Sequence, residues 1–371
     1  MKRKSQILIV LLTYLLVIGC GGQDITGLIK GPDGKPIGGL KVLVYSTSAE
    51  NPADPTAKGV TNKKGIFHLK SGYPGDAVLE VVGDDGAGRI HIVQSKHKKR
   101  IEITYPVKEK IVFLHDNDLH FDFNSPDAFQ SRLEEVRNSN EDVFLFNAGD
   151  IFVRHPSRWI VDGQLMKDPA WYGERALFMI DIMNRLEYTL MTPGNHDLAY
   201  IRPYTRAALE KAEFPLIAAN IEVSTDAIPT LESFRILQTS TWRTVAVLGL
   251  TRVSLPGDST GVAVLDPFET IGRYIHLADE NDVFVALTHI GYDNDRELAS
   301  RFPWIDVIIG GHSHTHLENA EIINTVLVAQ AGGSEHVISK NHVKYLGEVD
   351  VILENGEIIK KQGHVMVFPL Q

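Results

Sequence analysis

The sequence predicts a multidomain protein in which a small all-β sandwich precedes a larger α/β domain. The chain has 371 residues, 43% of them hydrophobic, which is enough for a substantial buried core. From residue 24 to about 105, short β-prone runs alternate with turn signals such as Gly31-Pro32-Asp33-Gly34. From about Lys110 onward, strands alternate with helical segments, a pattern typical of a layered α/β domain. The formal net charge of -10 argues against a nucleic-acid polymer as a partner.

Residues 1–20 predict a signal peptide with a site for lipid attachment. Basic residues precede an apolar run from Ile7 to Ile18, which is too short to span a bilayer comfortably. The run ends at Val17-Ile18-Gly19-Cys20, which resembles a bacterial lipoprotein cleavage box, and Cys20 is the only cysteine of the chain. We therefore expect acylated Cys20 to anchor the protein in a lipid bilayer of the cell envelope, facing away from the cytoplasm. An ordinary secretory signal with an incidental cysteine is the alternative.

Residues 24–105 are expected to form the β-sandwich. The text DITGLIKGPDGKPIGGLKVLVY, followed by TNKKGIFHL, resembles the carboxypeptidase regulatory-like, transthyretin-like sandwich family. The segment carries no catalytic constellation, so we expect it to be a spacer or an interaction module for another surface protein or a glycan. The predicted strands are Asp24 to Ile29, Leu40 to Ser46, Gly65 to Leu69, Ala77 to Val82, Arg89 to Val93 and Arg100 to Tyr105.

The α/β domain is predicted from apolar runs of strand length and from segments with helical spacing. Ser125-Pro126 marks one helix start, as an N-cap followed by proline. The segment from Arg154 to Asp168 breaks the periodicity, and we expect a loop at the rim of a substrate cleft. Further helices are predicted over residues 172–186, 202–212 and 267–279, and late strands over residues 325–330, 343–353 and 358–368.

Polar side chains follow five of the apolar strands, at the point where each strand ends. The strands are Ile111 to His115, Val143 to Phe146, Tyr188 to Met191, Val283 to Leu287 and Ile305 to Ile309. Ligands bind outside the carboxyl ends of the strands in open α/β sheets, so these side chains are expected to meet. Carboxylate, amide and imidazole groups are ligands of divalent metals. The inventory fits a pair of ions bridged by one carboxylate, and consists of Asp118, His120, Asp150, Asn195, His289, His312 and His314.

The motifs at these strand ends carry a family resemblance. HDNDLH, NAGD, PGNHD, LTHIG and IDVIIGGHSH resemble, in order, the five motifs of calcineurin-like metallophosphoesterases. The texts FPLIAANI, VLGLT and VAQAGG resemble the 5'-nucleotidase branch. The resemblance covers about Lys110 to Val367 and implies a four-layer αββα metallophosphatase domain, which we place at residues 108–371.

The resemblance also implies roles for individual residues. Asn195, His289 and His312 would hold one divalent ion, Asp118, His120 and His314 the other, and Asp150 would bridge them. The ions could be Mn, Zn, Fe or Mg, and the substrate a small phosphorylated molecule. His196 would not bind metal but would stabilise the transition state or protonate the leaving oxygen. Asp116 and His316 match no ligand of the family and receive no role.

Two departures from the family pattern affect these expectations. The family places an aspartate that orients the catalytic histidine four residues after the ligand asparagine, where this chain has Ala199. Asp197 is a nearby acid, but adjacent residues need not reach the same ring. The 5'-nucleotidase branch also carries a C-terminal domain that clamps the nucleotide base, and we expect no counterpart of it after Gln371.

Three hypotheses follow. The first is a metal-dependent hydrolase of phosphoric esters, and the second is a related hydrolase of phosphodiesters or thiosulfonates. The third is a non-catalytic surface-binding lipoprotein, which Ala199 and the sandwich favour. The complete set of ligand residues argues against the third, because burying so many polar groups together is costly without a cation.

Overall fold

The computed structural model describes most of the chain from residue 23 onward. The predicted signal peptide, Cys20 and Ser125 lie outside the described residues. Within the described residues, no helix combines the length and the apolar composition needed to cross a membrane. The described ranges are 23–31, 34–46, 55–71, 77–82, 88–93, 101–104, 108–121, 126–152, 159–161, 164–166, 169–199, 203–223, 228–241, 243–252, 262–333, 343–354 and 356–369.

The chain divides into two compact units, and the first contains the N-terminal strands. They are β1 (Gln23–Lys30), β2 (Lys41–Ser46), β3 (Ala57–Val60), β4 (Ile66–Ser71), β5 (Ala77–Val82), β6 (Gly88–Val93) and β7 (Ile101–Thr104). They form one sheet in the order β4-β1-β7 and another in the order β3-β2-β5-β6. Side chains from both sheets form one buried apolar cluster that includes Ile29, Val42 and Phe67. Strand β3 was not predicted, because Lys58 and Gly59 disfavour strands. The assignment of this unit to the carboxypeptidase regulatory-like family stays a prediction.

The second unit alternates strands and helices. In chain order the elements after β7, most of whose residues belong to this unit, are β8 (Lys108–Asp116), α1 (Pro126–Ser139), β9 (Asp142–Asn147), β10 (Trp159–Val161), β11 (Gln164–Met166), α2 (Pro169–Arg185), β12 (Leu190–Met191), α3 (Asn195–Ala199), α4 (Pro203–Leu209), β13 (Ile221–Val223), β14 (Phe234–Gln238), β15 (Thr244–Thr251), β16 (Val262–Val264), α5 (Pro267–Gly272), α6 (Ile275–Glu280), β17 (Val283–His289), α7 (Tyr292–Arg301), β18 (Val307–Gly310), β19 (Glu321–Ile323), β20 (Val326–Gln330), β21 (Val343–Glu354) and β22 (Glu357–Pro369).

Two sheets with helices against them form the core of this unit. The first sheet has the order β12-β9-β8-β21-β22, and the second has the order β14-β15-β17-β18-β20-β19. Val112 and Leu114 of β8 pack with Leu133 of α1 and Met179 of α2 in one cluster. Leu248, Phe284 and Ile308 of the second sheet pack with Ile271 of α5 and Leu298 of α7 in another. Each sheet therefore buries one face against helices, as in the predicted αββα arrangement.

The two sheets meet at the carboxyl ends of their parallel strands. Thr192, which follows β12, donates a hydrogen bond of 3.0 Å to the carbonyl oxygen of Leu287 in β17. Within the sheets, the parallel register pairs Asp116 with Asn147 and Thr251 with His289. The polar residues that follow these strands are therefore delivered to a common edge.

Several predicted elements differ from the structure. The helix expected over residues 267–279 is two short helices, because the chain turns at Arg273 and Tyr274 between α5 and α6. The expected loop from Arg154 to Asp168 contains the antiparallel pair β10 and β11. Helix α7 was not predicted, since only three of its residues are buried. Strand β12 is shorter than the predicted run Tyr188 to Met191.

His115 of β8 is a buried histidine whose properties give a testable prediction. Its ring packs so closely against Gly347 of β21 that a Cβ there would collide with it. Burial lowers the pKa of His115 to about 3, whereas an unfolded histidine has a pKa of about 6.5. Between these pH values His115 is protonated in the unfolded chain and neutral in the native state. The free energy of unfolding therefore decreases as the pH falls through this window.

We expect His115→Phe to flatten the fall of the free energy of unfolding below about pH 6.5 by up to ~1.4 kcal/mol per pH unit. The measurement is urea unfolding at pH 7, 6, 5 and 4, followed by circular dichroism. His276→Phe, at an exposed histidine of α6, is the matched control. Identical pH slopes for wild type and His115→Phe would show that His115 is not a neutral buried group.

Candidate metal centre

Asp118, His120 and His314 form the first group of possible ligands. Their ligand atoms all lie within 4.8 Å of one another. His314 Nε2 is 3.3 Å from Asp118 Oδ1 and 3.1 Å from His120 Nε2. Asp118 and His120 are buried, whereas His314 is half-buried. The group thus has one wall in the core and one side towards solvent.

Asp150, His289 and His312 form a second group, again with ligand atoms within 4.8 Å of one another. His289 Nε2 is 3.2 Å from Asp150 Oδ2, and its Nδ1 lies 2.6 Å from the carbonyl oxygen of Ala148. When the ring is neutral, that contact places its single proton on Nδ1, so the Nε2 lone pair would be the one available to a cation.

Asn195 sits beside the second group at the start of α3. Its neighbours on both sides touch Asp150: a Cβ on Gly194 would collide with Asp150 Oδ1, and the His196 amide donates to that oxygen at 2.7 Å. Asn195 Oδ1 is buried and accepts no hydrogen bond from any residue that the structure describes. A buried carbonyl oxygen in that state is costly, and a cation would satisfy it.

His196 forms a third group with His120 and Asp150, also within 4.8 Å. Its Nε2 is 3.8 Å from Asp150 Oδ2, and its ring centroid is 4.8 Å from that of His120. The geometry therefore brings His196 to the same centre as the ligands and permits either a catalytic or a ligating role. Of Ala199, at the end of α3, the structure describes only the backbone.

Left-handed backbone conformations turn these side chains inward. Asp118, His120, Asp150, His312 and His314 have φ values of 52°, 46°, 58°, 81° and 53°. Each such residue costs on the order of 1 kcal/mol and persists only where its surroundings enforce it. Here the amide of Asp118 donates to Gly149 O at 2.8 Å, and that of His312 donates to Asp118 Oδ2 at 2.8 Å.

Asp197 supports the backbone turns beside the site. Its carboxylate accepts backbone hydrogen bonds from Gly194 and Asp150 at 2.8 Å and from Phe152 at 3.1 Å. Burial and the nearby Asp150 charge raise the pKa of Asp197 to about 7. This role was missed because a contact between residues 150 and 197 has no local sequence signal.

Two further buried networks stand behind the site. Asp116 accepts hydrogen bonds from Tyr188 Oη at 2.5 Å and from Asn147 Nδ2 at 2.8 Å. Asp116 therefore has a structural role outside the ligand groups. Asp295 of α7 accepts from Thr288 Oγ1 at 2.6 Å and from Gln330 Nε2 at 2.7 Å.

The second network reaches the loop that carries His312 and His314. Gln330 Oε1 accepts a hydrogen bond from Ser313 Oγ at 2.9 Å, so Asp295 braces this loop through one intermediate side chain. His316, farther along the loop, lies outside the three ligand groups. Its Nδ1 is 3.1 Å from Ala331 O, and its ring packs on Tyr345 at a centroid distance of 4.6 Å.

The electrostatics of the centre favour a cation. Burial acts to lower the pKa of His289, but the Asp150 carboxylate outweighs it and raises the value to about 10. Burial acts to raise the pKa of Asp150, but the histidines around it, led by His289, hold it below its ordinary value. Buried carboxylates kept ionised, imidazole nitrogens and an unsatisfied amide oxygen are the donor set of a divalent metal. The residues present therefore fit a metal centre.

Comparison with known proteins agrees with the geometry. The model of the calcineurin-like phosphoesterase family matches residues 111–316. The trifunctional nucleotide phosphoesterase protein YfkN of Bacillus subtilis is 30% identical over 306 residues, covering 70% of this chain and 19% of YfkN. The 5'-nucleotidase of Diplobatis ommata is 24% identical over 270 residues, covering 63% of this chain and 42% of that protein. The chain thus spans less than half the length of both relatives.

A solved structure shares the fold. The crystal structure of a 5'-nucleotidase precursor from Thermus thermophilus gives a TM-score of 0.54 at 22% identity, covering 70% of this chain and 55% of that one. An αββα domain with Asp, Asn and His gathered at the carboxyl ends of its strands defines a metallophosphatase. The chain belongs to the calcineurin-like phosphoesterase family. Membership supports a hydrolase that acts on phosphoester bonds.

Proposed function

We propose that this protein is a dinuclear-metal-dependent hydrolase of phosphoric esters, a phosphomonoesterase similar to 5'-nucleotidases. The position of Asp150 carries the proposal. Its carboxylate lies within 4.8 Å of ligand atoms of His120 on one side and of His289 and His312 on the other. A carboxylate shared in this way is what two ions held by one bridge require.

The proposed roles follow the groups. Asp118, His120 and His314 would hold one ion, Asn195, His289 and His312 would hold the other, and Asp150 would be the ligand that both share. The centre would hold two divalent ions drawn from Mn, Zn, Fe or Mg, which would supply positive charge for a phosphate ester and lower the pKa of a water molecule. His196, next to Asp150 and partly buried, donates a proton to the leaving oxygen or stabilises its negative charge.

The proposed substrate is a small phosphorylated molecule such as a nucleotide. Support comes from the relatives, whose names are those of a nucleotide phosphoesterase and a 5'-nucleotidase. The test is a panel of phosphomonoesters, phosphodiesters, nucleotides and a thiosulfonate. Each is assayed with the purified protein in the presence of Mn, Zn, Fe or Mg ions. Metal content is measured by elemental analysis of the same samples, and chelator-stripped protein is the control. Fully loaded protein that hydrolyses none of the esters would refute the proposal.

We further propose that Cys20 carries the lipid anchor and that the protein faces away from the cytoplasm in the cell envelope, with residues 24–105 as spacer or interaction module. The support is the sequence Val17-Ile18-Gly19-Cys20 and the absence of any other cysteine. We expect Cys20→Ser to move the protein out of the membrane fraction. The purified variant should keep the phosphoesterase turnover of the wild type. Membrane fractionation with immunoblotting measures this, with Ser5→Ala as control. Unchanged fractionation of Cys20→Ser would rule out the anchor.

A further inference from the structure

Arg252 lies at the edge of the candidate metal centre. It directly follows β15, whose last residue, Thr251, pairs in register with His289. The backbone there is held firmly: Thr251 Oγ1 donates to Pro193 O at 2.8 Å, and the Thr251 amide donates to Asn220 Oδ1 at 2.9 Å. Pro193 begins the turn that delivers Asn195. Arg252 is thus tied to the same turn as a proposed ligand, although its side chain is exposed.

The guanidinium of Arg252 contacts the imidazole ring of His312. Arg252 Nη1 meets Nε2 of the imidazole. The other ring nitrogen, Nδ1, is buried and has no hydrogen-bond partner in the described part of the chain. Since His312 groups with Asp150 and His289, Nδ1 is the nitrogen left for a cation held by those residues.

This arrangement makes two hydrogen-bond donors converge. A neutral imidazole that gives its Nδ1 lone pair to a metal carries its proton on Nε2. Guanidinium nitrogens are donors only. Arg252 Nη1 and His312 Nε2 therefore cannot satisfy each other once the metal is bound, and an acceptor oxygen placed against both satisfies both. An anionic oxygen suits the site best, because hydrogen bonds from a guanidinium to an anion are short and strong.

We propose that Arg252, together with the Nε2 proton of His312, binds a terminal phosphoryl oxygen of the substrate and makes the enzyme prefer phosphomonoesters to phosphodiesters. This inference rests on the proposed function. A phosphomonoester dianion has three terminal oxygens and a phosphodiester anion has only two, so the monoester offers one more charged oxygen that can lie against Arg252. In a phosphodiester that third oxygen carries a second carbon group, which can neither take the negative charge nor fit against a guanidinium. Arg252 is thus a specificity-determining residue.

The test compares Arg252→Met and Arg252→Lys with wild type, all as metal-loaded soluble protein. Arg273→Met, at an exposed arginine after α5, is the matched control. Inorganic phosphate binding is measured by calorimetry, metal content by elemental analysis, and kcat/KM on p-nitrophenyl phosphate and on bis(p-nitrophenyl) phosphate. We expect Arg252→Met to weaken phosphate binding and monoester kcat/KM by about tenfold to a hundredfold. Diester kcat/KM and metal content stay within about threefold. Arg252→Lys keeps the positive charge but loses the planar arrangement of donors, so its phosphate binding and monoester kcat/KM should lie between those of wild type and Arg252→Met.

Three results would overturn the inference: unchanged phosphate binding by Arg252→Met, equal losses on the two esters, or a higher metal content than wild type. The last would mean that Arg252 competes with metal for His312. Failure of the proposed function itself has a different signature, because loaded wild type would then hydrolyse neither ester. The comparison of phosphate binding between wild type and Arg252→Met needs no turnover and remains decisive in that case.

Discussion

Asp150→Ala is expected to remove bound metal and phosphoesterase turnover together. The Asp150 carboxylate is 2% exposed and lies within 4.8 Å of ligand atoms in two of the three groups. Without it, two ions would lose a shared ligand and their mutual repulsion would be less compensated. We expect metal content to fall below one ion per chain and turnover to fall by at least roughly 10²–10³, the usual effect of losing one electrostatic stabiliser.

The measurements are elemental analysis and turnover on the best substrate of the panel. Asp150→Asn separates charge from folding, since it keeps an oxygen that can accept the His196 amide. Asp181→Ala, at an exposed aspartate of α2, controls for the loss of a carboxylate elsewhere. A folded Asp150→Ala protein that still binds two ions would contradict the bridging assignment.

His196→Ala is expected to keep the metal and lose turnover. On the proposed assignment its imidazole acts on the leaving oxygen and ligates no ion, so removal costs about 10²–10⁴-fold in turnover, the usual worth of a positioned proton donor. The same two measurements decide the matter, because the variant should differ from Asp150→Ala in metal content and resemble it in activity.

The alternative assignment is that His196 is itself a metal ligand. Its ligand atom lies within 4.8 Å of those of Asp150 and His120. Metal loss by His196→Ala, equal to that of Asp150→Ala, would make His196 a ligand. Full metal and full turnover would mean that another group protonates the leaving oxygen, as expected if Ala199 cannot replace the aspartate that orients this ring in the family. His276→Ala, at an exposed histidine, is the control.

The convergence of the site could be predicted because it follows from a repeated local pattern. Apolar strands such as Ile111 to His115 and Val283 to Leu287 end in polar residues, and parallel strands place those ends at one edge. The apolar runs of strand length predicted the strands, and the polar residues after each run predicted where each strand ends. The αββα arrangement was predicted from the family resemblance, because no single segment of the sequence indicates the order of the strands in a sheet.

The supporting residues could not be predicted for the opposite reason. Asp197 reaches Asp150 across 47 positions, and Gln330 reaches Asp295 across 35. Each is an ordinary polar residue locally, and its partner is defined only by the tertiary fold. Helix α7 shows the same limit, because Leu298 and Ala299 bury too little apolar surface to reveal a helical face.

The distance in sequence between the proposed ligands has a consequence for the order of events in folding. His312 contacts Asp118 across 194 positions, and both sheets must be paired before that contact exists. Contacts between residues so far apart in sequence form late in folding, because the chain between them must close into a loop, at a cost in entropy, before the contact can stabilise the fold. A metal that binds only the completed centre stabilises the native state but not a transition state that lacks it. Metal should therefore slow unfolding and leave the rate of folding nearly unchanged.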